Sequence, residues 1–571
     1  MIKTLTSKDV SSHLKDQDFK TGAKAAVNYF LLQQEPQKQI ELCLDHPEIY
    51  QNFIITGMQG SGKKNGILNL IRDKYPKPAA ITEYYYNPEK NTISTEAIGS
   101  RIIAQPKNQV ILFESNPNIT SLSGICSENS YKPGSLVKSS GGYLVMPILP
   151  FIQDLHLFNF LLNCLDRGRI DFSSFPELPF FQGSSRSFPD IPLQTRVILF
   201  GDEEYYDALL KKYPKLTNIF KMRIELAYDA YISRKSLLAF SELIDTWKKN
   251  NYPAAAPSAK RKLMEYTLAG YDSKHRFPLK LSDTRDIYEE AQVLFSAKKE
   301  ITDRDISLAV ANLISRNSSG KIRYLEEIKD GFIKLHLSGS RIGRINALSI
   351  ITFFNPLIDY GQVNVVSARI STGTGNVLNV ERESNLSGDI YDRAIFTLSS
   401  YIKGLFQHSF DLDISIMFEQ NHIMIDGDSA SAAELLAVLS ALGEQPIQSH
   451  IAVTGSVTQY GDILPVGAIN KKIETWHEIT SLFGKKSDTY MLFVPEANSR
   501  DIILPENVIQ SVKSGKLVLK SYSHINDIIP EIMGIEAGKK NKNGHYNENT
   551  LLGKIESRLE SKKTENNNEK E

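Results

Sequence analysis

The sequence predicts a multidomain α/β protein, and three observations support this prediction. The chain has 571 residues, of which 41% are hydrophobic, so it is long enough for several domains with buried cores. Near the N-terminus an apolar strand precedes a glycine-rich loop and a helix, and a long middle segment has apolar residues at helical spacing. In the C-terminal half an acidic turn opens an Ala/Leu-rich helix. The expected order is an α/β domain, a helical segment and an α+β domain.

The α/β domain begins with a loop that suits phosphate. Residues 53–56 predict a buried strand, the loop Gly57-Met-Gln-Gly-Ser-Gly62-Lys63-Lys64 follows, and residues 65–74 predict a helix. Gly57, Gly60 and Gly62 allow backbone N–H groups to surround a phosphate, and Lys63 can reach it. A P-loop ends in Ser or Thr, which binds magnesium, and Lys64 cannot do so. The sequence therefore leaves binding of ATP or ADP open and predicts impaired ATP hydrolysis.

The other strands of this domain lack the acidic residues that ATP hydrolysis needs. The apolar run 141–147 ends in Met146 and Pro147, where a carboxylate pair would hold magnesium and polarise water. The run 110–115 contains one carboxylate, Glu114, and is better explained as an ordinary core strand. Residues 196–202 and 220–225 predict the remaining strands. Two roles stay open for the domain, nucleotide binding and a purely structural role.

Residues 228–325 form the helical segment. Apolar residues recur every three or four positions in four stretches, interrupted at Pro253 and Pro257; the stretches are 233–249, 259–266, 284–299 and 302–315. No chemistry is predicted for this segment.

The candidate catalytic residues lie in the C-terminal half. Ser429 follows Gly427 in a tight turn, and residues 430–442 predict a helix that Gly443 stops. A serine hydroxyl needs a neighbouring base. Lys472 becomes such a base if burial lowers its pKa by roughly 3 units, and apolar residues from Ile463 to Trp476 surround it in the sequence. For Asp426 and Asp428, capping of the serine-bearing helix is the alternative to a role in the site.

Three short motifs resemble the proteolytic domain of Lon proteases, in the LonB-like branch: Asp-Gly-Asp-Ser-Ala-Ser (426–431), Thr-Gly-Ser-Val (454–457) and Leu-Pro-Val-Gly-Ala-Ile-Asn-Lys-Lys (464–472). The resemblance spans roughly residues 330–535. It implies a catalytic dyad of Ser429 and Lys472, with Lys471 as the weaker candidate. It also implies that the Thr454 hydroxyl hydrogen-bonds to the lysine amine and that Asp426 lies close to the nucleophile.

The resemblance also implies the domain plan. Its parts are an AAA-like P-loop domain (1–227, degenerate), a helical lid (228–325), a Lon-type α+β proteolytic domain (326–536) and a disordered charged tail (537–571). The implied protein is a serine endopeptidase that forms a homo-hexamer and cleaves unfolded or flexible proteins. Without robust ATP hydrolysis, the AAA-like domain would build the ring and gate access to the protease.

An alternative is a non-proteolytic ring that serves as an assembly or chaperone scaffold with a nucleotide-binding switch. The intact pair Ser429 and Lys472 argues against it. A histidine base is the other alternative, because His422 and His450 lie near the serine in sequence, but neither belongs to the resemblance.

Composition and charge exclude several further classes of protein. Lys plus Arg and Asp plus Glu are equal at 66 each, so no basic field favours nucleic acid. Cys43, Cys126 and Cys164 are too far apart for a zinc site or a disulfide framework, and no structural metal is expected. The N-terminus has no apolar signal core, and no apolar run reaches about 18 residues. We therefore expect a cytoplasmic protein that does not contact a membrane.

Overall fold

The chain divides into two compact units. A computed structural model describes residues 2–20, 30, 32–75, 84–87, 89–90, 92–94, 101–102, 111–127, 130–172, 181–182, 189–353, 355–406, 412–420 and 424–568. The N-terminal unit comprises residues 17–257 and 278–300. The C-terminal unit comprises residues 1–16, 258–277 and 301–571.

The core of the N-terminal unit is a five-stranded parallel sheet. Its strands, in chain order, are Asn52–Thr56, Ile111–Phe113, Tyr143–Pro147, Arg196–Gly201 and Phe220–Glu225. Across the sheet they lie in the order fifth, first, fourth, third, second. Leu144 and Met146 belong to one apolar cluster, whereas Tyr143 and Val145 belong to another. Both faces are therefore buried, as is usual for parallel sheets.

Helices and short strands complete the N-terminal unit. Its helices are Gln34–Asp45, Lys63–Lys74, Ile119–Ser123, Ser135–Lys138, Leu149–Gln153, Leu155–Arg167, Glu203–Lys212, Leu216–Ile219, Arg234–Trp247 and Ser282–Leu294. Its short strands are Tyr85–Asn87, Thr92–Ser94, Arg101–Ile102, Gly124–Ser127, Ser130–Pro133, Arg169–Ile170, Phe181–Gln182, Ile191–Pro192, Asp229–Tyr231 and Ala254–Ala255.

The core of the C-terminal unit is an eight-stranded mixed sheet. Its strands, in spatial order, are Lys3–Thr4, Leu517–Tyr522, Tyr490–Pro495, Ile451–Val453, Arg344–Ile351, Tyr360–Thr372, Leu412–Glu419 and Val377–Asn379. The second to fifth strands of this order are parallel to one another, and the fifth to seventh are antiparallel. The strand Ile451–Val453 is therefore central, and Thr454 follows its last residue.

Two helices lie on opposite faces of this sheet. The serine helix, Ser431–Gly443, follows Ser429, and it is buried from Ser431 to Leu442 because most of its residues are apolar. Its side chains pack in one cluster with Val366. The lysine helix, Ile469–Phe483, packs in the other cluster with Val363. Since residues of a strand alternate between faces, the two helices enclose the sheet between them.

The remaining helices of the C-terminal unit are Pro257–Gly270, Asp303–Arg316, Ser319–Lys329, Val380–Glu383, Asp389–Leu405, Glu496–Ser499, Glu506–Lys513, Ile525–Met533 and Leu551–Asn568. Its remaining strands are Arg276–Pro278, Glu300–Ile301, Ser340–Arg341, Ile447–Gln448, Ser456–Val457 and Ile463–Leu464. Among the described residues, no helix is both long and apolar enough to cross a membrane.

The compact units divide the chain differently from the predicted domains. The first residues do not belong to the unit that contains the P-loop: Lys3 pairs with Ser521 in antiparallel register, and Leu5 and Val10 are buried in the C-terminal unit. The predicted lid is also divided, because the helix Pro257–Gly270 counts with the C-terminal unit and Ser282–Leu294 with the N-terminal unit. Helical spacing locates helices but does not tell which core each one covers.

The C-terminal tail differs from the predicted disorder. Leu551, Leu552 and Ile555 are completely or almost completely buried against the serine helix, within a helix that extends to Asn568. Arg558 donates hydrogen bonds to the carbonyl groups of Ala441 and Leu442 at 3.2 and 2.9 Å. Disorder was predicted from the average composition of the tail, which is polar. This average does not reveal a short stripe of apolar residues at helical spacing.

Candidate active site

The turn that carries Ser429 is fixed by backbone hydrogen bonds. Gly427 has φ of 112°, a region that favours glycine, and so allows the chain to reverse before the serine. The Gly455 N–H donates to the Ser429 carbonyl at 2.9 Å, and the Ala432 N–H donates to the Gly455 carbonyl at 3.1 Å. These bonds hold the serine beside the segment that continues the central strand.

Lys472 lies directly beside this serine. Its Nζ is 2.7 Å from the Ser429 Oγ, and its side chain approaches from the first turn of the lysine helix. That helix begins after Ala468, which has φ of 55° and accepts a hydrogen bond from the Lys472 N–H at 3.0 Å. The Asn498 side chain fixes the preceding Val466 through two hydrogen bonds of 2.9 Å. The sequence-predicted pair is thus brought into contact.

Burial controls the charge of Lys472. Only 2% of the residue is exposed, and desolvation lowers the pKa of its ammonium group from the ordinary value to about 8. The carboxylates of Asp272 and Asp428 act in the opposite direction. A substantial fraction of the lysine is therefore neutral near pH 8, and a neutral amine can accept the serine proton.

Thr454 occupies the place that the resemblance implies. It is fully buried, and its Oγ1 accepts a hydrogen bond from the Lys472 Nζ at 3.2 Å. The same hydroxyl donates to the Ser429 carbonyl at 3.3 Å. The Tyr522 hydroxyl in turn donates to the Thr454 carbonyl at 3.1 Å. The threonine therefore connects the lysine to the serine turn.

Asp426 has a different environment from the dyad. Its Oδ1 accepts hydrogen bonds from the N–H groups of Gly427, Ile390 and Tyr391 at 2.9, 3.2 and 3.3 Å. Ile390 and Tyr391 belong to the first turn of the helix Asp389–Leu405. The carboxylate therefore caps a neighbouring helix and fixes its own turn, and its contacts among the described residues do not include the dyad. This is a capping role, although on another helix than the serine helix.

The alternative candidates for the catalytic base do not contact Ser429 in the part of the chain that the structure describes. The Lys471 Nζ contacts the Leu357 carbonyl at 3.4 Å and the Glu474 carboxylate at 3.2 Å, on another side of the lysine helix. His450 makes no side-chain contact with Ser429 in the described part of the chain, and burial lowers its pKa. His422 lies outside the described residues.

Two carboxylates near the dyad were not predicted to be site residues. Asp428 accepts a hydrogen bond from the Ser456 Oγ at 2.6 Å, and its position next to the serine was the available signal. Asp272 reaches the start of the lysine helix from the segment after the helix Pro257–Gly270. No sequence pattern indicates Asp272, because its contact with the lysine helix spans 197 residues.

The glycine-rich loop has the backbone of a phosphate-binding loop. Gly60 and Gly62 have φ of 86° and 81°, and Gly62 is the N-cap of the helix Lys63–Lys74. A side chain at Gly60 would also approach the Ser282 Oγ to 2.5 Å. Gly57 has positive φ as well. The three glycines are therefore required by the loop's conformation, and its N–H groups can surround an anion at a helix start.

Lys63 is engaged by acceptors of its own unit. Its Nζ donates to the Gly57 carbonyl, to the Met58 carbonyl at 2.8 Å and to the Asp202 Oδ1 at 3.1 Å. Burial lowers its pKa, and the Asp202 carboxylate acts in the opposite direction. An ammonium group has three N–H donors, so these three acceptors satisfy it. A phosphate would have to compete with Asp202 for this lysine.

The residues around the loop do not fit magnesium. The Lys64 Nζ lies 4.1 Å from the centroid of the Phe113 ring, as a cation–π contact. The Met146 side chain is fully buried in the sheet and has a thioether sulfur instead of an oxygen ligand. Glu114 accepts a hydrogen bond from the Ser135 Oγ at 2.7 Å. Within the described ranges, no group of three or more His, Cys, Asp or Glu residues could hold a metal ion.

Two family models match this chain. Residues 107–227 match the family model of the LonB-like AAA domain, and residues 354–534 match that of the Lon protease (S16) C-terminal proteolytic domain. A Lon protease homologue of Escherichia coli K12 is 27% identical over 71% of this chain and 69% of its own length. One of Haemophilus influenzae Rd is 25% identical over 94% of this chain and 90% of its own. The archaeal Lon protease of Thermoplasma acidophilum is 25% identical, and the match covers 54% of this chain and 47% of that protein. The chain therefore belongs to the Lon protease family, with a LonB-like AAA domain followed by a Lon proteolytic domain.

Proposed function

We propose that this Lon-like protease is a serine endopeptidase in which Ser429 is the nucleophile and Lys472 the general base. The single observation that supports this most is the 2.7 Å contact between the Ser429 Oγ and the Nζ of a lysine whose pKa burial lowers to about 8. Lysine at its ordinary pKa would be a cation at neutral pH and could not accept a proton.

The reaction proceeds in two halves. The neutral Lys472 amine takes the Ser429 proton while Oγ bonds to the substrate carbonyl carbon, which gives a tetrahedral oxyanion. The C–N bond then breaks, and the Lys472 ammonium gives the proton to the departing amine. In the second half Lys472 takes a proton from water while the water oxygen bonds to the acyl carbon. The Lys472 ammonium then returns this proton to the Ser429 Oγ as the bond between that oxygen and the acyl carbon breaks, which releases the acid and restores the free enzyme.

The start of the serine helix supplies the oxyanion site in this proposal. The Ser431 N–H donates to the Asp428 carbonyl, and the Ala432 N–H donates to the Gly455 carbonyl. Among the residues that the structure describes, the N–H groups of Ser429 and Ala430 have no such acceptor. Amides of this kind stabilise charge that develops in the transition state.

In this proposal the AAA-like domain has a mainly structural role. Lys64 replaces the magnesium-binding hydroxyl, Met146 and Pro147 replace the acidic pair, and Asp202 already holds Lys63. Nucleotide then binds weakly at Gly57, Gly60, Gly62 and Lys63, and hydrolysis is impaired. Without strong pulling force, the substrates are unfolded or flexible proteins, and the working form is a homo-hexameric ring.

Cleavage of casein tests this function. Wild type, Ser429→Ala, Lys472→Ala and the control Lys471→Ala are compared without nucleotide, with ADP, and with ATP and magnesium. We expect both dyad variants to be inactive, the control to be active, and nucleotide to change little. Strict dependence on ATP would contradict the impaired ATPase, and a wild type without cleavage would favour a non-proteolytic scaffold.

A further inference from the structure

The start of the lysine helix is held by a segment far away in sequence. Asp272 lies in a turn directly after the helix Pro257–Gly270 and belongs to the same compact unit as the dyad. Its Oδ2 accepts from the Ile469 N–H at 3.2 Å, and its Oδ1 accepts from the Asn470 N–H at 3.3 Å. Carboxylates stabilise helix starts because the N–H groups there lack partners within the helix.

Asn470 strengthens this connection. Its Nδ2 donates to the Asp272 Oδ1 at 2.9 Å and to the Ala269 carbonyl at 3.1 Å. Its Oδ1 accepts from the Ile503 N–H at 2.8 Å. Asn470 is almost fully buried, so each of these bonds replaces a contact with water. Four hydrogen bonds thus join the first turn of the lysine helix to Asp272 and Ala269, and a fifth joins it to Ile503.

We propose that Asp272 is a positioning residue for Lys472, fixing the first turn of the lysine helix and setting how readily the lysine gives up its proton. This inference rests on the proposed role of Lys472 as the base. Asp272 does not touch the serine, and its effect passes through the helix start and through its charge.

The carboxylates of Asp272 and Asp428 both act on the charge of Lys472. Both carboxylates raise the pKa of Lys472, against the larger lowering that burial causes. Burial raises the pKa of Asp272, and its hydrogen bonds and Lys472 lower it. Lys471, the neighbouring cation on the same helix, is paired with Glu474. Removal of the Asp272 charge therefore lowers the pKa of Lys472.

Asp272→Asn is the informative variant. Asp272 has φ of 51°, which asparagine tolerates better than most residues, so the exchange preserves the turn. Asp501→Asn is the matched control, because Asp501 holds the same turn through the Ser273 Oγ and the Lys274 N–H at 3.2 and 3.1 Å. Asp501 is not among the groups that act on Lys472.

Two measurements are made on the full-length protein. The first is the pH dependence of kcat/KM for a fluorogenic peptide. We expect Asp272→Asn to move the acid limb to lower pH by about 1 unit, because a negative charge near Lys472 is removed. We also expect a lower plateau value of kcat/KM, because the helix start is less well fixed. The second is the pH dependence of Lys472 acylation by acetic anhydride, followed by peptide mass spectrometry, which needs no peptidase activity.

The outcomes separate the two proposals. The positioning role is supported if the pH dependence of Lys472 acylation shifts in Asp272→Asn and equals that of the wild type in Asp501→Asn. This holds even if the wild type cleaves no peptide, and in that case only the peptidase proposal fails. An unchanged acylation profile in Asp272→Asn, or an equal shift in Asp501→Asn, overturns the role of Asp272.

Discussion

The two candidate sites each contain a buried lysine, and their surroundings differ in one respect. Lys472 faces two hydroxyl groups, those of Ser429 and Thr454, at 2.7 and 3.2 Å. Lys63 faces two carbonyl groups and the Asp202 carboxylate. Burial lowers the pKa of both lysines, but only Lys63 has a carboxylate in direct contact.

This difference determines what each lysine can do. A hydroxyl can give a proton to a neutral amine, so the surroundings of Lys472 allow either charge state. A carboxylate and carbonyls only accept hydrogen bonds, so the surroundings of Lys63 favour the ammonium form. The surroundings of Lys472 therefore suit a general base. Lys63 forms an ion pair with Asp202, and a phosphate must break this ion pair to bind the lysine.

The largest effect is expected from Lys472→Arg. Arginine keeps the positive charge but cannot deprotonate in a protein, so the base is lost while the cation remains. We expect kcat/KM for a peptide to fall by about 1,000-fold or more. Lys471→Arg on the same helix is the control and should retain activity. Substantial cleavage by Lys472→Arg would mean that the lysine acts as a cation at both sites.

The second largest effect is expected from Asp202→Asn. The variant frees Lys63 and removes a negative charge from the place that a phosphate would approach. We expect the affinity for ADP, measured by calorimetry, to rise about tenfold, the equivalent of about 1.4 kcal/mol. Glu203→Gln is the control, since Glu203 pairs with Arg223 and Tyr228 rather than with Lys63. An unchanged affinity would show that the ion pair does not limit binding.

A smaller effect is expected from Thr454→Val. Valine has a similar shape but lacks the hydroxyl that accepts from Lys472 and donates to the Ser429 carbonyl. Of these two hydrogen bonds, only the one from Lys472 involves a catalytic side chain, and its loss of about 1 kcal/mol corresponds to about a fivefold decrease in kcat. Thr454→Ser keeps the hydroxyl and should recover most of the rate. Equal rates for the valine and serine variants would remove Thr454 from the site.

The smallest effect is expected from Arg558→Ala. Arg558 donates to the last carbonyl groups of the serine helix and pairs with Glu444 at 2.6 Å. We expect a loss of about 1 kcal/mol in unfolding free energy, seen as a lower Tm. Lys554→Ala, on the exposed side of the same helix, should leave Tm unchanged. A Tm equal to wild type for Arg558→Ala would mean that the tail does not stabilise the serine helix.

The sequence was informative where the site is local. Gly427 and Ser429 belong to one turn, Thr454 directly follows one strand, and Lys472 lies in the first turn of one helix. Short motifs therefore locate each of them. The glycine loop was located for the same reason. Hydrophobic patterning also gave the strands and helices that carry these residues, because it follows the burial of one or both faces.

The partners that arrive from distant parts of the chain could not be predicted. Asp202 lies 139 residues after Lys63, and Asp272 lies 197 residues before Ile469, so no periodic pattern connects them. The role of Asp426 was also ambiguous, since a cap on its own helix and a cap on the helix Asp389–Leu405 look alike in sequence. These contacts depend on how the elements pack.

The most direct test of the central claim is the pH dependence of kcat/KM for cleavage of a fluorogenic peptide by the wild-type protein. We expect a limb that rises with pH and has its midpoint near pH 8, because below that value Lys472 is protonated and activity falls about tenfold per pH unit. A midpoint near pH 6.5, the ordinary value of histidine, or a flat profile from pH 6 to 9 would contradict a neutral lysine base.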